Sequence, residues 1–250
     1  MEKAATAQVL QAVETLLRLH QTGALGGAVM PEDANPGLPK GSDGNYLYFT
    51  LPMALNYQRN SYKLWEAAKA TCLDPETADI FRPAAVTAMD ADVLREKLLK
   101  HKLALQPNRH PAIWARLCQT FHGNFGDSVR RFLETNAFSA AQVKAYMSAH
   151  KKDFPYLSGM KIINYWLYVL TQYTDAAFDD TEHISIAPDT HVLQASIRLG
   201  LIAPADLAHP RIRETVSALW NELLTGTNWR PIDVHTPLWL WSRGGFNAEV

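Results

Sequence analysis

Phe154-Pro155-Tyr156-Leu157-Ser158-Gly159-Met160-Lys161-Ile162-Ile163-Asn164-Tyr165-Trp166-Leu167 reads as a tight turn running directly into an oily helix. From Lys161 to Tyr173 the lysine is the only charged residue, and apolar or aromatic side chains fall on every face. That pattern predicts a buried central helix rather than a surface one. A lysine in the first turn opposes the local rule, because the positive end of the helix dipole favours acids there. Departures of this kind concentrate at functional sites.

Working outward, helical periodicity recurs along the whole chain. Val9, Leu10, Val13, Leu16 and Leu17 mark an opening amphipathic helix over Ala4 to His20. Glycines and prolines then crowd Gly23 to Gly44, which predicts a long loop of the functional or disordered kind. Pro52 fits the first turn of a helix carrying Asn56, Tyr57 and Gln58. Asp74-Pro75-Glu76 reads as a further helix start, and Phe81 to Ala85 as a connection. Asp90 to Leu103 is amphipathic with a basic face of Arg95, Lys97, Lys100 and Lys102, either a solvated face or a phosphate-facing patch.

Ile113 to Phe121 is a helix that Gly123 and Gly126 should break, and Asp127 to Glu134 is a short one. Ser139 and Gln142 match a capping box that opens a helix to about His150. After the opening stretch, an acidic loop from Asp175 to His183 leads to extended Ile184 to Pro188. Asp189 is placed as an N-cap for Thr190 to Leu199, with Gly200 as the stop. Ile212 to Leu224 and a last segment from Thr236 complete about ten helices. There is no alternating strand pattern and no internal repeat, so the expected fold is all-α.

The chain has 250 residues, enough for one large unit or two small lobes. Lys plus Arg number 24 against 25 Asp plus Glu, a net charge of −1, so an anionic partner must be met by a local patch or by backbone amides. Cys72 and Cys118 fit no metal spacing. With no signal peptide legible and no run of about 20 apolar residues, the expectation is free thiols, no membrane association and a cytoplasmic setting.

Lys161 and Asp189 are the candidates for chemistry. At a helix N-terminus the dipole and desolvation both favour a neutral amine, which is the nucleophilic form. A free lysine has a pKa of about 10.4, so such help is needed near neutrality. An aspartate at an N-cap accepts backbone N–H groups and stays ionised. A neutral amine beside a carboxylate suits attack on a carbon bearing a leaving group, followed by Schiff-base chemistry.

The segment Leu157-Ser158-Gly159-Met160-Lys161 resembles a helix-hairpin-helix turn, and Ile186-Ala187-Pro188-Asp189-Thr190-His191-Val192 resembles the proline/aspartate segment of the helix-hairpin-helix DNA glycosylases. The matched block, about Ser139 to Gly200, covers a quarter of the chain, and the Lys161 to Asp189 separation is most like that of the archaeal-type 8-oxoguanine glycosylase branch. The resemblance implies two helical lobes with the site in the cleft between them, the N- and C-terminal segments sharing the lobe without the hairpin. It implies base excision with lyase activity on damaged double- or single-stranded DNA, by a monomer that needs no cofactor and no metal. Lys161 is then the Schiff-base nucleophile and Asp189 the carboxylate. Gln58, Pro188, Asp233 and Trp239 hold the flipped purine, while Ser158, Gly159, Met160 and His191 meet DNA phosphates.

The hairpin departs from the family pattern, since Lys161 stands where a second glycine is usual, so its phosphate-binding loop is differently shaped. A four-cysteine iron–sulfur tail is absent from the sequence. Lys151 and Lys152 also lie near the turn, at a helix C-terminus where lysine is expected on structural grounds. Asp189 could be a cap alone, and Trp239 with Trp241 could be core. A water-using glycosylase, an inactive damage binder and a non-enzymatic helical interaction protein are the competing functions. Lys161 argues against the first.

Overall fold

The computed structural model describes residues 3–26, 30–56 and 59–250. Among them the α-helices are α1 (Lys3–Gln21), α2 (Asp43–Thr50), α3 (Ser61–Leu73), α4 (Pro83–Ala88), α5 (Ala91–Lys100), α6 (Arg109–Phe125), α7 (Val129–Thr135), α8 (Ala140–Ala149), α9 (Met160–Tyr173), α10 (Thr190–Arg198), α11 (Ile212–Leu224) and α12 (His235–Arg243). No strand occurs among the described residues, so the chain is all-α. The helices segregate into two compact units, one made of residues 29–180 and the other of residues 1–28 with 181–250. The boundary falls inside the block that carries the glycosylase resemblance.

In the discontinuous unit, α1 contributes Val9, Val13 and Leu16 to a core shared with Val192 and Leu193 of α10, Val216 and Trp220 of α11, and Leu238 and Trp241 of α12. Trp241 is therefore core, as one of its two sequence readings had it. The indole of Trp220 donates to Ser196 Oγ at 3.0 Å, so the buried polar atom of this large side chain is satisfied. Asp189 caps α10 through Val192 N at 2.9 Å, and Gly200, with φ of 72°, follows that helix in a left-handed conformation suited to glycine.

The unit of residues 29–180 is built on aromatics. Phe154, just before α9, lies 5.2 Å from the Phe132 ring and 6.0 Å from Phe121. Trp166 of α9 stacks at 6.5 Å on Phe132 and donates its indole N–H to Thr50 Oγ1 at 3.0 Å. The start of α8 departs from the expected capping box. Ser139 Oγ does accept from Gln142 N at 3.1 Å, but Ser139 N is taken by Asn136 O. Asp180 supplies the further capping instead, accepting from Ala140 N at 2.6 Å and Ala141 N at 3.0 Å.

Several local readings are corrected. Pro52 opens a single 3-10 turn, Pro52–Leu55, and Asn56 already lies outside it, while Tyr57 and Gln58 fall outside the described residues. Asp74 to Thr77 is a turn leading to the 3-10 segment Ala78–Phe81 rather than an α-helix start. Pro83 then begins α4 where a connection was expected, because proline is well suited to a first helical turn. Gly123 does not break α6; the helix runs to Phe125 and ends at Gly126, whose φ of 56° is left-handed.

Candidate functional site

The hairpin between α8 and α9 spans residues 150–159, and apolar anchors fix it. Phe154 and Leu157 are fully buried, while Tyr156 between them turns the chain with a left-handed φ of 63°. A non-glycine residue there costs about 1 kcal/mol or more. The guanidinium of Arg109 lies 4.7 Å from the centre of the Tyr156 ring, a cation–π contact that favours this placement. The turn closes through Ser158 N to Phe154 O at 3.0 Å and Gly159 N to Tyr156 O at 3.1 Å. A Cβ on Gly159 would sit 3.2 Å from Tyr156 O. The glycine therefore serves a close backbone approach; its own φ of −66° is ordinary.

Gly159 is the N-cap of α9, so Lys161 occupies the second helical position. The structure places Lys161 on the exposed surface, and its neighbour Met160 is 63% exposed. This corrects the expectation of a helix buried on all sides. Ile163, Asn164, Trp166, Leu167 and Leu170 face the core, and Tyr165 and Tyr168 are only partly covered. At the second helical position Lys161 meets the positive end of the α9 dipole.

Burial does affect Lys144 of α8. Its Nζ donates to Asn164 Oδ1 at 3.0 Å, and burial lowers its pKa against the opposing pull of Asp180. Asn164 is 3% exposed and also donates to Met160 O at 2.7 Å, tying α8 to the first turn of α9. Lys144, Lys151, Tyr156, Ser158, Gly159 and Met160 line a cavity of about 340 Å3. A second cavity of about 460 Å3 shares Lys151 and adds Arg116, His150, Lys152 and Asp153, the last of which pairs with Arg116. The hairpin is therefore flanked by Lys144, Lys151 and Lys152, with Arg116 held in an ion pair by Asp153, on a chain of nearly zero net charge.

The basic face of α5 is different. Lys97 pairs with Asp79 at 2.6 Å, Lys100 with Asp74 at 2.7 Å and Glu76 at 2.6 Å, and Arg95 with Asp92 at 2.6 Å. Lys100, then His101, hold the Asp74 carboxyl well below its usual range. Of the two readings of this face, the ion pairs favour the structural one.

In the discontinuous unit, Pro188 is buried and its carbonyl accepts a short hydrogen bond from Arg213. His191 Nδ1 lies 3.1 Å from Ser242 Oγ, which in turn donates to Gln194 Oε1 at 3.0 Å. The Trp239 ring meets His191 edge-on at 5.5 Å, and Arg243 lies 5.0 Å from its centre. Trp239 is half-buried, unlike Trp241. Asp233 caps the turn Pro231–Val234 through Arg230 N at 2.9 Å and pairs with the Arg230 guanidinium at 2.8 Å. Its carboxylate is thus engaged by its own element.

Ser158, Gly159, Met160 and Lys161 are brought together in one unit, while Pro188, Asp189, His191, Asp233 and Trp239 belong to the other. Sequence reading missed Lys144, Asn164, Asp180 and also Glu32, a buried acid that accepts from the Tyr165 hydroxyl and the Trp65 indole. A spacing signal existed for one further residue, Tyr165, which stands four positions beyond Lys161 and so on the same helical face. Cys72 and Cys118 are free thiols, and burial pushes both up in pKa. Among the described residues no cluster of three or more His, Cys, Asp or Glu could hold a metal ion, and no helix is long and apolar enough to cross a membrane. No protein-family model matches the chain, and no curated protein is significantly similar to it.

Proposed function

We propose that this protein is a DNA base-excision glycosylase with lyase activity, of the helix-hairpin-helix kind, acting on an oxidised purine such as 8-oxoguanine. The observation that carries this reading is the hairpin itself. A turn held by Phe154 and Leu157 delivers Lys161 to the second position of α9, exposed, beside a cation-lined surface. Backbone amides at a helix start together with flanking lysines suit a phosphate. An exposed amine at the same place suits a nucleophile that meets its carbon only when DNA is bound.

The substrate nucleotide is rotated out of the duplex, at a cost of a few kcal/mol that a lesion reduces. Lys161 Nζ attacks the anomeric carbon while the base leaves with the bonding electron pair; the nitrogen then gives up a proton, its lone pair breaks the bond from the anomeric carbon to the ring oxygen, and that oxygen takes up a proton as a hydroxyl, leaving an open-chain Schiff base. Removal of a proton from the adjacent sugar carbon then expels the 3′ phosphate by β-elimination. The family resemblance gives Asp189 the part of the carboxylate that stabilises the cationic stages, and water finally frees the lysine. Tyr165, on the Lys161 face, supplies aromatic surface for stacking, and the part of Trp239 rests on the family resemblance. The purine preference and the roles of Gln58 and Asp233 rest on the family resemblance.

Borohydride trapping tests this reading. Duplex carrying 8-oxoguanine or an abasic site should yield a covalent protein–DNA adduct with the parent and none with Lys161→Gln. Trapping that survives Lys161→Gln but is lost in Lys151→Gln or Lys152→Gln would move the nucleophile. Binding without trapping by the parent would leave a damage-binding protein.

A further inference from the structure

We propose that Glu32 is a positioning residue for the lysine chemistry at the start of α9, acting through the hydroxyl of Tyr165; this role rests on the glycosylase–lyase reading. Glu32 stands in the glycine- and proline-rich segment before α2 and is 1% exposed. One of its oxygens, Oε1, accepts from Tyr165 OH at 2.9 Å and from Trp65 Nε1 at 2.9 Å. Its neighbour Asp33 accepts from Tyr173 OH at 2.9 Å and from Met30 N at 2.8 Å. The Pro31–Asp33 turn is thus strapped to α9 at two points and to α3 at one.

Tyr165 follows Lys161 by one helical turn, so the two side chains leave the same face of α9, the face that on the proposed reading receives the reacting sugar and base. A tyrosine has two principal side-chain torsions. Fixing its hydroxyl at the far end removes most of the freedom of the ring, which is the preorganisation a reacting geometry needs. The arrangement is costly for folding. A carboxyl is buried among Trp65 of α3, Tyr165 and Tyr173 of α9, Tyr48 of α2 and the adjacent Asp33, a set of aromatics and one further acid. Burying an ionisable group in such surroundings is destabilising, and residues kept at that cost tend to serve function.

Burial raises the Glu32 carboxyl to about 7. Above that pH a carboxylate holds the phenol by a charge-assisted hydrogen bond, and below it a neutral acid holds it more weakly. The positioning effect should therefore strengthen as pH rises through about 7.

Single-turnover strand cleavage on abasic-site duplex tests the role in the parent, Glu32→Gln, Tyr165→Phe and the double variant. Each single change should slow cleavage about tenfold while leaving the DNA dissociation constant within about twofold, and the double variant should be no slower than Glu32→Gln, because both remove one link. The ratio of parent to Glu32→Gln rates should rise with pH through about 7. Tyr165→Phe deletes one oxygen and keeps the ring, so it carries the test if Glu32→Gln does not fold. Unchanged rates, losses confined to DNA affinity, or additive losses overturn the role of Glu32 alone. A parent that forms no trapped adduct overturns the lyase reading and this role together.

Discussion

Asn164 donates its side-chain amide to the carbonyl oxygen of Met160 at 2.7 Å, and the same side chain accepts the ammonium of Lys144 at 3.0 Å. One buried residue thus fixes both the first turn of α9, the helix that carries Lys161, and its junction with the preceding helix. Asn164→Ala removes both bonds and leaves a small cavity, and should cost about 2 kcal/mol in urea unfolding. Lys161→Gln, at an exposed position, should stay within about 0.5 kcal/mol of the parent.

Asp189 combines a demonstrable cap with a proposed chemical role, and two substitutions separate them. Asparagine caps nearly as well as aspartate, so Asp189→Asn should keep stability within about 0.5 kcal/mol, whereas Asp189→Ala should lose about 1 kcal/mol. Turnover should fall by tenfold or more in both if the charge is used. Full activity in Asp189→Asn would reduce the residue to a cap.

The buried Glu32 makes stability fall as pH rises. With its pKa raised from 4.5 to about 7 in the folded protein, the native state keeps a proton that the unfolded chain has lost between those values. Stability attributable to this group should decline by up to about 3 kcal/mol across that window and level off above it. His20 and His110, lowered by burial, act in the opposite direction, since their charging on unfolding favours the unfolded state at low pH. The difference between parent and Glu32→Gln in urea unfolding at pH 5 and pH 8 isolates the carboxyl.

Salt dependence discriminates between the two cationic surfaces. The α5 lysines are paired with acids and should release few counterions, so Lys100→Gln should leave the slope of log K against log salt unchanged. Lys151→Gln, in the wall shared by the two hairpin cavities, should reduce that slope by about one. The reverse pattern, read by fluorescence anisotropy on duplex DNA, would relocate the binding surface to α5.

The all-α class, the span of α11 and the cap at Asp189 were legible in the chain itself, because each depends on local periodicity or on a side chain reaching its own backbone. Lys161 was legible as an anomaly for the same reason, since a cation at a helix start conflicts with neighbours in sequence. Its exposure was not legible. The oily run from Ile162 to Tyr173 reads as buried all round, yet the tertiary structure covers only part of it and leaves the tyrosine side half open.

The remaining decisions belong to residues far apart in sequence. Asp180 replaces half of the capping box of α8, and Glu32 reaches Trp65 and Tyr165 from a loop whose composition gives no hint of either contact. The α5 ion pairs likewise depend on Asp74 and Asp79 arriving from another element. Local patterning determined the helices and singled out Lys161. Only tertiary packing decided which charges are neutralised and which acid is buried, because desolvation and pairing depend on neighbours in space rather than along the chain.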